Sequence, residues 1–145
     1  MILYTTGYEK KPASLFFETL RDHHIERLID IRRFPDGPME GYARRDDLAY
    51  LLQAVLGCEY IYFPLLAPTG EMLSRYQLEP NWEGYVTDYE KLMEERDIPG
   101  VLERRMFDEK RTCLLCFEAS PVKCHRRLAA ERLAAAWGDV EIQHI

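Results

Sequence analysis

With 145 residues, 47% of them hydrophobic and 12% aromatic, the chain is long enough to build one ordinary domain around a sizeable core. A formal net charge of −6 excludes a surface that attracts phosphate backbones or anionic membranes everywhere, while leaving room for a local basic pocket. No charged-then-apolar leader opens the sequence and no apolar run approaches the roughly 18 residues that span a bilayer, so a cytoplasmic protein with no membrane partner is expected.

Residues 1–6 (MILYTT) are apolar and β-prone and Gly7 breaks the run, which predicts a first strand ending in a turn. Residues 12–24 carry Leu15, Phe16 and Leu20 at near-helical spacing. A second strand follows over 27–31 (RLIDI), then a loop rich in Gly and Pro (DGPMEGYARR) that is long for a mere connection. Asp46 or Asp47 is placed to cap a helix over 48–56, which Gly57 ends. Residues 58–63 (CEYIYF) alternate like a third strand. Residues 64–81 hold no periodicity and several breakers, and such irregular chain is often functional. Helical pattern resumes over 82–96 and again over about 100–107. A fourth strand ends at Cys116, a last helix begins near Cys124 and stops at Gly138, and residues 140–145 close the chain as a strand.

Strand and helix alternating in this way predict an α/β fold: a single domain with a mostly parallel sheet of about five strands and helices on both faces, a Rossmann-like three-layer arrangement. In such sheets the ligand sits beyond the carboxyl ends of the strands, and Tyr8, Asp30 to Arg33, and Glu118 to His125 all fall on that edge.

The polar residues concentrate where strand four gives way to the last helix, in LLCFEASPVKCHRR. A thiol at a helix N-terminus sees unpaired N–H groups and the positive end of the dipole, so Cys124 is a candidate nucleophile or acid, with His125 as its base or as a separate proton carrier. Arg126 and Arg127 stand against that dipole, which calls for a negative partner: Glu118, Asp30, or a bound phosphate or carboxylate. Arg127 can pair with Glu131 one turn on; Arg126 cannot. The pairs Arg32–Arg33 and Arg44–Arg45 fall at the same edge, and strand alternation would admit at most one of Arg32 and Arg33 to the site. Cys116, Cys124 and His125, with Glu118, are also residue types that zinc accepts. Cys113 is an odd number of residues from Cys116 within a strand and should face away from it, which argues against a Cys-x-x-Cys metal or redox turn. Cys58 and Cys113 read as buried apolar thiols.

The segments TTGYEKK, LIDIRRFP and LLCFEASPVKCHR together resemble the DUF488 family of small bacterial and archaeal proteins, matching its T-x-G-Y/H, D-x-R-x-x-P and C-x-E…C-H-R segments. The resemblance spans most of the chain and implies a site built from Thr6, Gly7, Asp30, Arg32, Pro35, Cys116, Glu118, Cys124, His125 and Arg126. Two departures stand out: LLAPTGEM where the family commonly has Leu-Gly-Gly, and DGPMEGYARR in place of a serine-rich basic loop.

These readings converge on an enzyme, a hydrolase or transferase, that binds an anionic small molecule or nucleic-acid fragment. Arg126 and Arg32 hold the anion, Cys124 acts as nucleophile or acid, and Glu118, Asp30 and His125 move protons. No cofactor is called for. Two alternatives are kept: a metal site on Cys116, Cys124 and His125, and a non-enzymatic binding module in which Arg126 fixes Glu118 and Asp30 in a buried network. A homo-oligomer is compatible with the sequence.

Overall fold

The computed structural model describes residues 1–37 and 41–145, so the tip of the long loop after strand two, residues 38–40, lies outside the described residues. Five strands, β1 (Ile2–Gly7), β2 (Arg27–Asp30), β3 (Glu59–Tyr62), β4 (Thr112–Cys116) and β5 (Glu141–His144), form one sheet in the order β3-β2-β4-β1-β5. Every pairing is parallel, as the alternation of strand and helix predicts. The strand boundaries fall within a residue or two of those read from the sequence.

Helices α1 (Ala13–Asp22) and α2 (Arg45–Leu51) cover one face of the sheet. A π-helical turn over Leu52–Leu56 extends α2, and Gly57, at φ 62°, ends it in the left-handed region that suits glycine. On the other face lie α4 (Trp82–Glu95) and α6 (His125–Trp137), joined by α3 (Gly70–Leu78) and the short α5 (Arg105–Asp108). Side chains that alternate along each strand feed two separate cores. Tyr4, Leu28, Cys113 and Leu115 pack with Phe16, Leu20, Leu48 and Leu52, whereas Leu3, Ile29 and Leu114 pack with Tyr89, Met93, Leu128 and Leu133. Among the described residues no helix is long and apolar enough to cross a membrane.

Three sequence expectations change. The stretch 64–81 contains α3: Thr69 caps it by accepting a hydrogen bond from the Met72 amide, and Met72 is buried. Helical structure over 100–107 shrinks to the single turn of α5. The residue at the start of α2 is Arg44, with no side-chain cap, and Asp46 and Asp47 occupy the first turn, where they complement the dipole.

The connections from β1 and β2 run over the α1/α2 face, while β4 connects through α6 on the opposite face. Chains leaving neighbouring strands in opposite directions open a crevice above β4, flanked by the ends of β1 and β2.

Candidate active site

Cys116 ends β4 and lies opposite Gly7, the last residue of β1. A Cβ on Gly7 would overlap the backbone carbonyl of Glu118 and lie 2.9 Å from Nη1 of Arg126, so only glycine lets the 117–119 loop fold over the end of β1. That loop is tied down further by the Glu9 amide, which donates to the Phe117 carbonyl at 3.0 Å.

Arg126, 1% exposed, braces the same loop from α6. Its Nε donates to Thr5 Oγ1 at 3.1 Å, its Nη1 to the Glu118 carbonyl, and its Nη2 to the Ala119 carbonyl at 3.2 Å. The carboxylate partners expected from the sequence are absent: Arg126 takes a backbone oxygen of Glu118, not its side chain, and makes no ion pair among the described residues. Asp30 belongs to Arg32 instead. Asp30, fully buried, accepts from Nε and Nη2 of Arg32 at 2.8 and 2.7 Å, from the Arg32 amide at 3.1 Å and from the Tyr60 hydroxyl. Arg32 Nη1 reaches the Ala43 carbonyl at 2.7 Å. This fork-on-fork pair occupies the acceptors of Asp30, leaving no free lone-pair direction for proton transfer. The single network imagined around Arg126, Glu118 and Asp30 is thus two networks.

Of the sequence-derived residues, Thr6 stands apart: its hydroxyl donates to the Ile145 carbonyl at 3.0 Å and accepts from Lys11. The threonine that touches Arg126 is Thr5, one residue earlier and therefore on the opposite face of the strand. Arg127 makes the expected pair with Glu131 at 3.6 Å. Cys58 and Cys113 are buried and face the α1/α2 core, where burial pushes the Cys58 thiol up to about 11 and the Cys113 thiol higher still.

The chemistry gathers at Cys116, Cys124 and His125, all buried. His125 opens α6 and Cys124 caps it. The His125 Nε2 lies 2.8 Å from the Ile31 carbonyl, which can only accept, so Nε2 carries a hydrogen. In the neutral ring Nδ1 is then a free base, and it lies 3.3 Å from Cys116 Sγ. Burial alone would raise the Cys116 thiol. A hydrogen bond from Cys124, backbone hydrogen bonds at Phe117 and Glu118 and the charge of Arg126 outweigh it and hold the thiol below its ordinary value. Cys124 moves the opposite way, raised by its hydrogen bond to Cys116 and by burial. Sequence reasoning placed Cys116 as a motif residue and a candidate metal ligand; the structure sets it between Cys124 and His125, where these hydrogen bonds favour its thiolate.

These groups line a cavity of about 340 Å³ at the carboxyl edge of the sheet, at the small end of the roughly 300–1,000 Å³ typical of ligand sites. Glu118 stands on its wall, its carboxyl raised first by burial and then by the nearby Glu9. Trp82, Tyr85 and Tyr76 supply an aromatic side, with Trp82 and Tyr85 stacked at 5.3 Å. Arg32, Arg33 and Lys123 also border it. Both Arg32 and Arg33 reach the cavity because β2 ends at Asp30, so strand alternation no longer governs them. Tyr8, which the sequence placed at this edge, completes the floor, its ring 5.2 Å below the Arg32 guanidinium, whereas Tyr60 was not singled out. The Sγ atoms of Cys116 and Cys124 and a ring nitrogen of His125 lie within 4.8 Å of one another, close enough for all three to hold one metal ion.

The family model described as "Domain of unknown function DUF488" matches residues 12–133. The chain belongs to this family. The matched span includes Asp30, Arg32, Cys116, Glu118, Cys124, His125 and Arg126 and starts after Thr6 and Gly7. No curated protein and no solved structure matches the chain. The DUF488 domain thus carries a buried Cys–Cys–His cluster that opens on a cavity beside two arginine networks.

Proposed function

We propose that this DUF488 protein is a thiol-dependent hydrolase or transferase acting on a phosphate-bearing substrate, with Cys116 as its nucleophile. The observation that carries the reading is the contact between Cys116 Sγ and His125 Nδ1 at 3.3 Å, on the wall of the cavity, with Nε2 tied to Ile31. His125 Nδ1 takes the proton of Cys116, and the resulting thiolate keeps the hydrogen bond from Cys124. The thiolate attacks the electrophilic atom of the substrate, the sulfur forming a bond as the leaving group departs. The proton for the leaving group comes from the His125 imidazolium or from Glu118, whose raised carboxyl suits an acid. Water or a second acceptor, deprotonated by the same group, then releases the thio-linked intermediate and restores Cys116.

Phosphate binding is supported by Arg33 and Lys123 on the rim, both exposed, while Arg32 lines the wall and Arg126 holds the Glu118 and Ala119 carbonyls behind it. The four free thiols suit a reducing compartment such as the cytoplasm. The test is iodoacetamide labelling followed by peptide mapping. Modification at Cys116 at neutral pH, abolished by Cys116→Ser and slowed by His125→Gln, is expected; labelling spread evenly over the thiols, or confined to Cys124, overturns the assignment.

One observation favours a second reading. The three ligand atoms within 4.8 Å, with the far nitrogen of His125 held by a carbonyl as metal-ligating histidines usually are, also suit a Cys₂His metal site with its fourth position toward the cavity. Elemental analysis of protein purified without added metal separates the two: stoichiometric zinc or iron supports the metal reading, and metal-free protein ends it.

A further inference from the structure

We infer that the substrate is a single-stranded nucleic acid, which lies along a strip of arginines and aromatic rings outside the cavity and places one nucleotide inside it; this rests on the phosphate-bearing substrate proposed above. The first observation is an anomaly of pairing. The chain has 25 acidic residues against 19 basic ones, so an exposed arginine has no shortage of carboxylates. Arg21, Arg27, Arg32, Arg75, Arg104, Arg105, Arg127 and Arg132 all make ion pairs, and Arg96, Arg111 and Arg126 donate to carbonyl or hydroxyl oxygens. Among the described residues, Arg33, Arg44 and Arg45 alone have neither. All three stand at the carboxyl edge of the sheet, on the segments that follow β2.

The second observation is what these guanidiniums have instead. Arg33 lies 5.0 Å from the ring of Phe34, and Arg45 lies 4.6 Å from the ring of Tyr62. Phe34 is 57% exposed, a large ring offered to solvent. The Tyr62 hydroxyl reaches the Arg33 carbonyl at 3.5 Å and the Arg45 amide donates to the Pro35 carbonyl at 3.0 Å, so the two cation–ring pairs are fixed relative to each other. Together they line a shallow cavity of about 560 Å³, with Asp36 as the carboxylate on its border. Arg33 and Phe34 also line the cavity that holds Cys116, so the two adjoin. The cavity that holds Cys116 also has rings and a cation on its lining, Tyr76, Trp82 and Lys123.

A surface that alternates flat rings with unpaired cations fits a chain of bases and phosphates. Each ring stacks a base for roughly 1–3 kcal/mol, and each unpaired guanidinium takes a phosphate without first losing a carboxylate partner. A duplex keeps its base faces covered and offers nothing to the rings. A phosphopeptide has a phosphate for one guanidinium and no bases to stack.

Binding is measured by fluorescence polarisation with the Cys116→Ser protein, so that the probe is not consumed, using short labelled oligothymidylate and oligouridylate. At least one of them should bind, and the preferred one assigns the sugar. The slope of log affinity against log salt should be roughly −2, from three phosphates at about −0.7 each. Thymidine monophosphate should bind at least a hundredfold more weakly. The double variant Arg33→Ala, Arg45→Ala should weaken oligomer binding at least tenfold and reduce the slope by about 1.4, with an unchanged melting temperature. Undiminished binding by the double variant, equal binding of the mononucleotide, or tighter binding of a phosphopeptide overturns the inference. Iodoacetamide labelling of Cys116 is read separately. Oligomer binding without a reactive Cys116 would end the thiol enzyme and keep the strip, and a reactive Cys116 without oligomer binding would do the reverse.

Discussion

Arg32 and Arg126 are each the first of an arginine doublet, each buried, and each without solvent to share its charge, yet they are balanced differently. Arg32 holds the carboxylate of Asp30 in a two-bond fork, and wherever its charge is felt, at Tyr8 and at Tyr60, that of Asp30 opposes it. Arg126 has only dipoles, the Thr5 hydroxyl and the carbonyls of Glu118 and Ala119. Its charge reaches outward uncancelled, lowering the thiol of Cys116 and the imidazole of His144 and favouring the ionised form of Glu118. A neutralised arginine builds a wall, whereas an un-neutralised one builds a field. The second arginine of each doublet goes to the outside: Arg127 pairs with Glu131, and Arg33 meets no carboxylate among the described residues.

The largest effect should come from breaking the balanced pair. Asp30→Ala leaves the Arg32 guanidinium buried without its counter-charge and should cost about 3–5 kcal/mol, measured by urea unfolding. Asp30→Ala with Arg32→Met should recover much of that loss; failure to recover any would mean that Asp30 acts other than through Arg32. Arg126→Met should cost less, about 2–3 kcal/mol, since it removes an uncompensated charge while stranding carbonyl acceptors. Its signature lies elsewhere: Cys116 alkylation at neutral pH should slow, because a charge that favours the thiolate is gone. A loss of stability with unchanged Cys116 reactivity would reduce Arg126 to a brace.

Gly7→Ala comes next, at about 1–3 kcal/mol, because the new methyl displaces the Glu118 carbonyl that Arg126 holds. If the variant folds, the Arg126 bond to that carbonyl is lost with it and Cys116 should become less reactive. An unaltered melting temperature would show that the 117–119 loop moves freely, against its ties to Glu9 and Arg126.

Much of this was legible in the sequence because burial and alternation write themselves into strands. RLIDI and TCLLC declared a buried parallel sheet, and the parity of Cys113 and Cys116 correctly separated the two thiols, one into the α1/α2 core and the other onto the cavity. The junction at Cys124 and His125 was readable from the strand-to-helix transition. Contacts made through backbone oxygens were not, since the carbonyls of Ile31, Glu118 and Ala119 have no residue-type signal. The helix N-terminus argued for a thiolate at Cys124, and nothing in that argument showed that hydrogen bonds also favour the ionised form of its neighbour in space, Cys116. Thr5 in place of Thr6 is a one-residue parity error, and α3 was hidden by the prolines around it even though Thr69-Gly70-Glu71 spelled a cap.

The smallest effect concerns pH and reads the Arg126 field at a distance from the thiols. His144 Nδ1 lies 2.6 Å from Thr5 Oγ1, which also accepts from Nε of Arg126. Burial first, and the charge of Arg126 second, lower the His144 pKa below its ordinary 6.5. The unfolded chain then binds a proton that the folded one refuses, so the neutral imidazole contributes stability above about pH 6.5 that is lost as the pH falls toward the folded value. Stability measured by urea unfolding should therefore decline on the acid side of neutrality, and His144→Gln, which keeps an acceptor near Thr5, should remove part of that decline. Arg126→Met should raise the His144 titration seen by NMR, whereas Arg32→Met combined with Asp30→Ala should leave it in place. Equal displacement by the two changes would mean that the buried arginines are electrostatically alike, contrary to the difference in their partners.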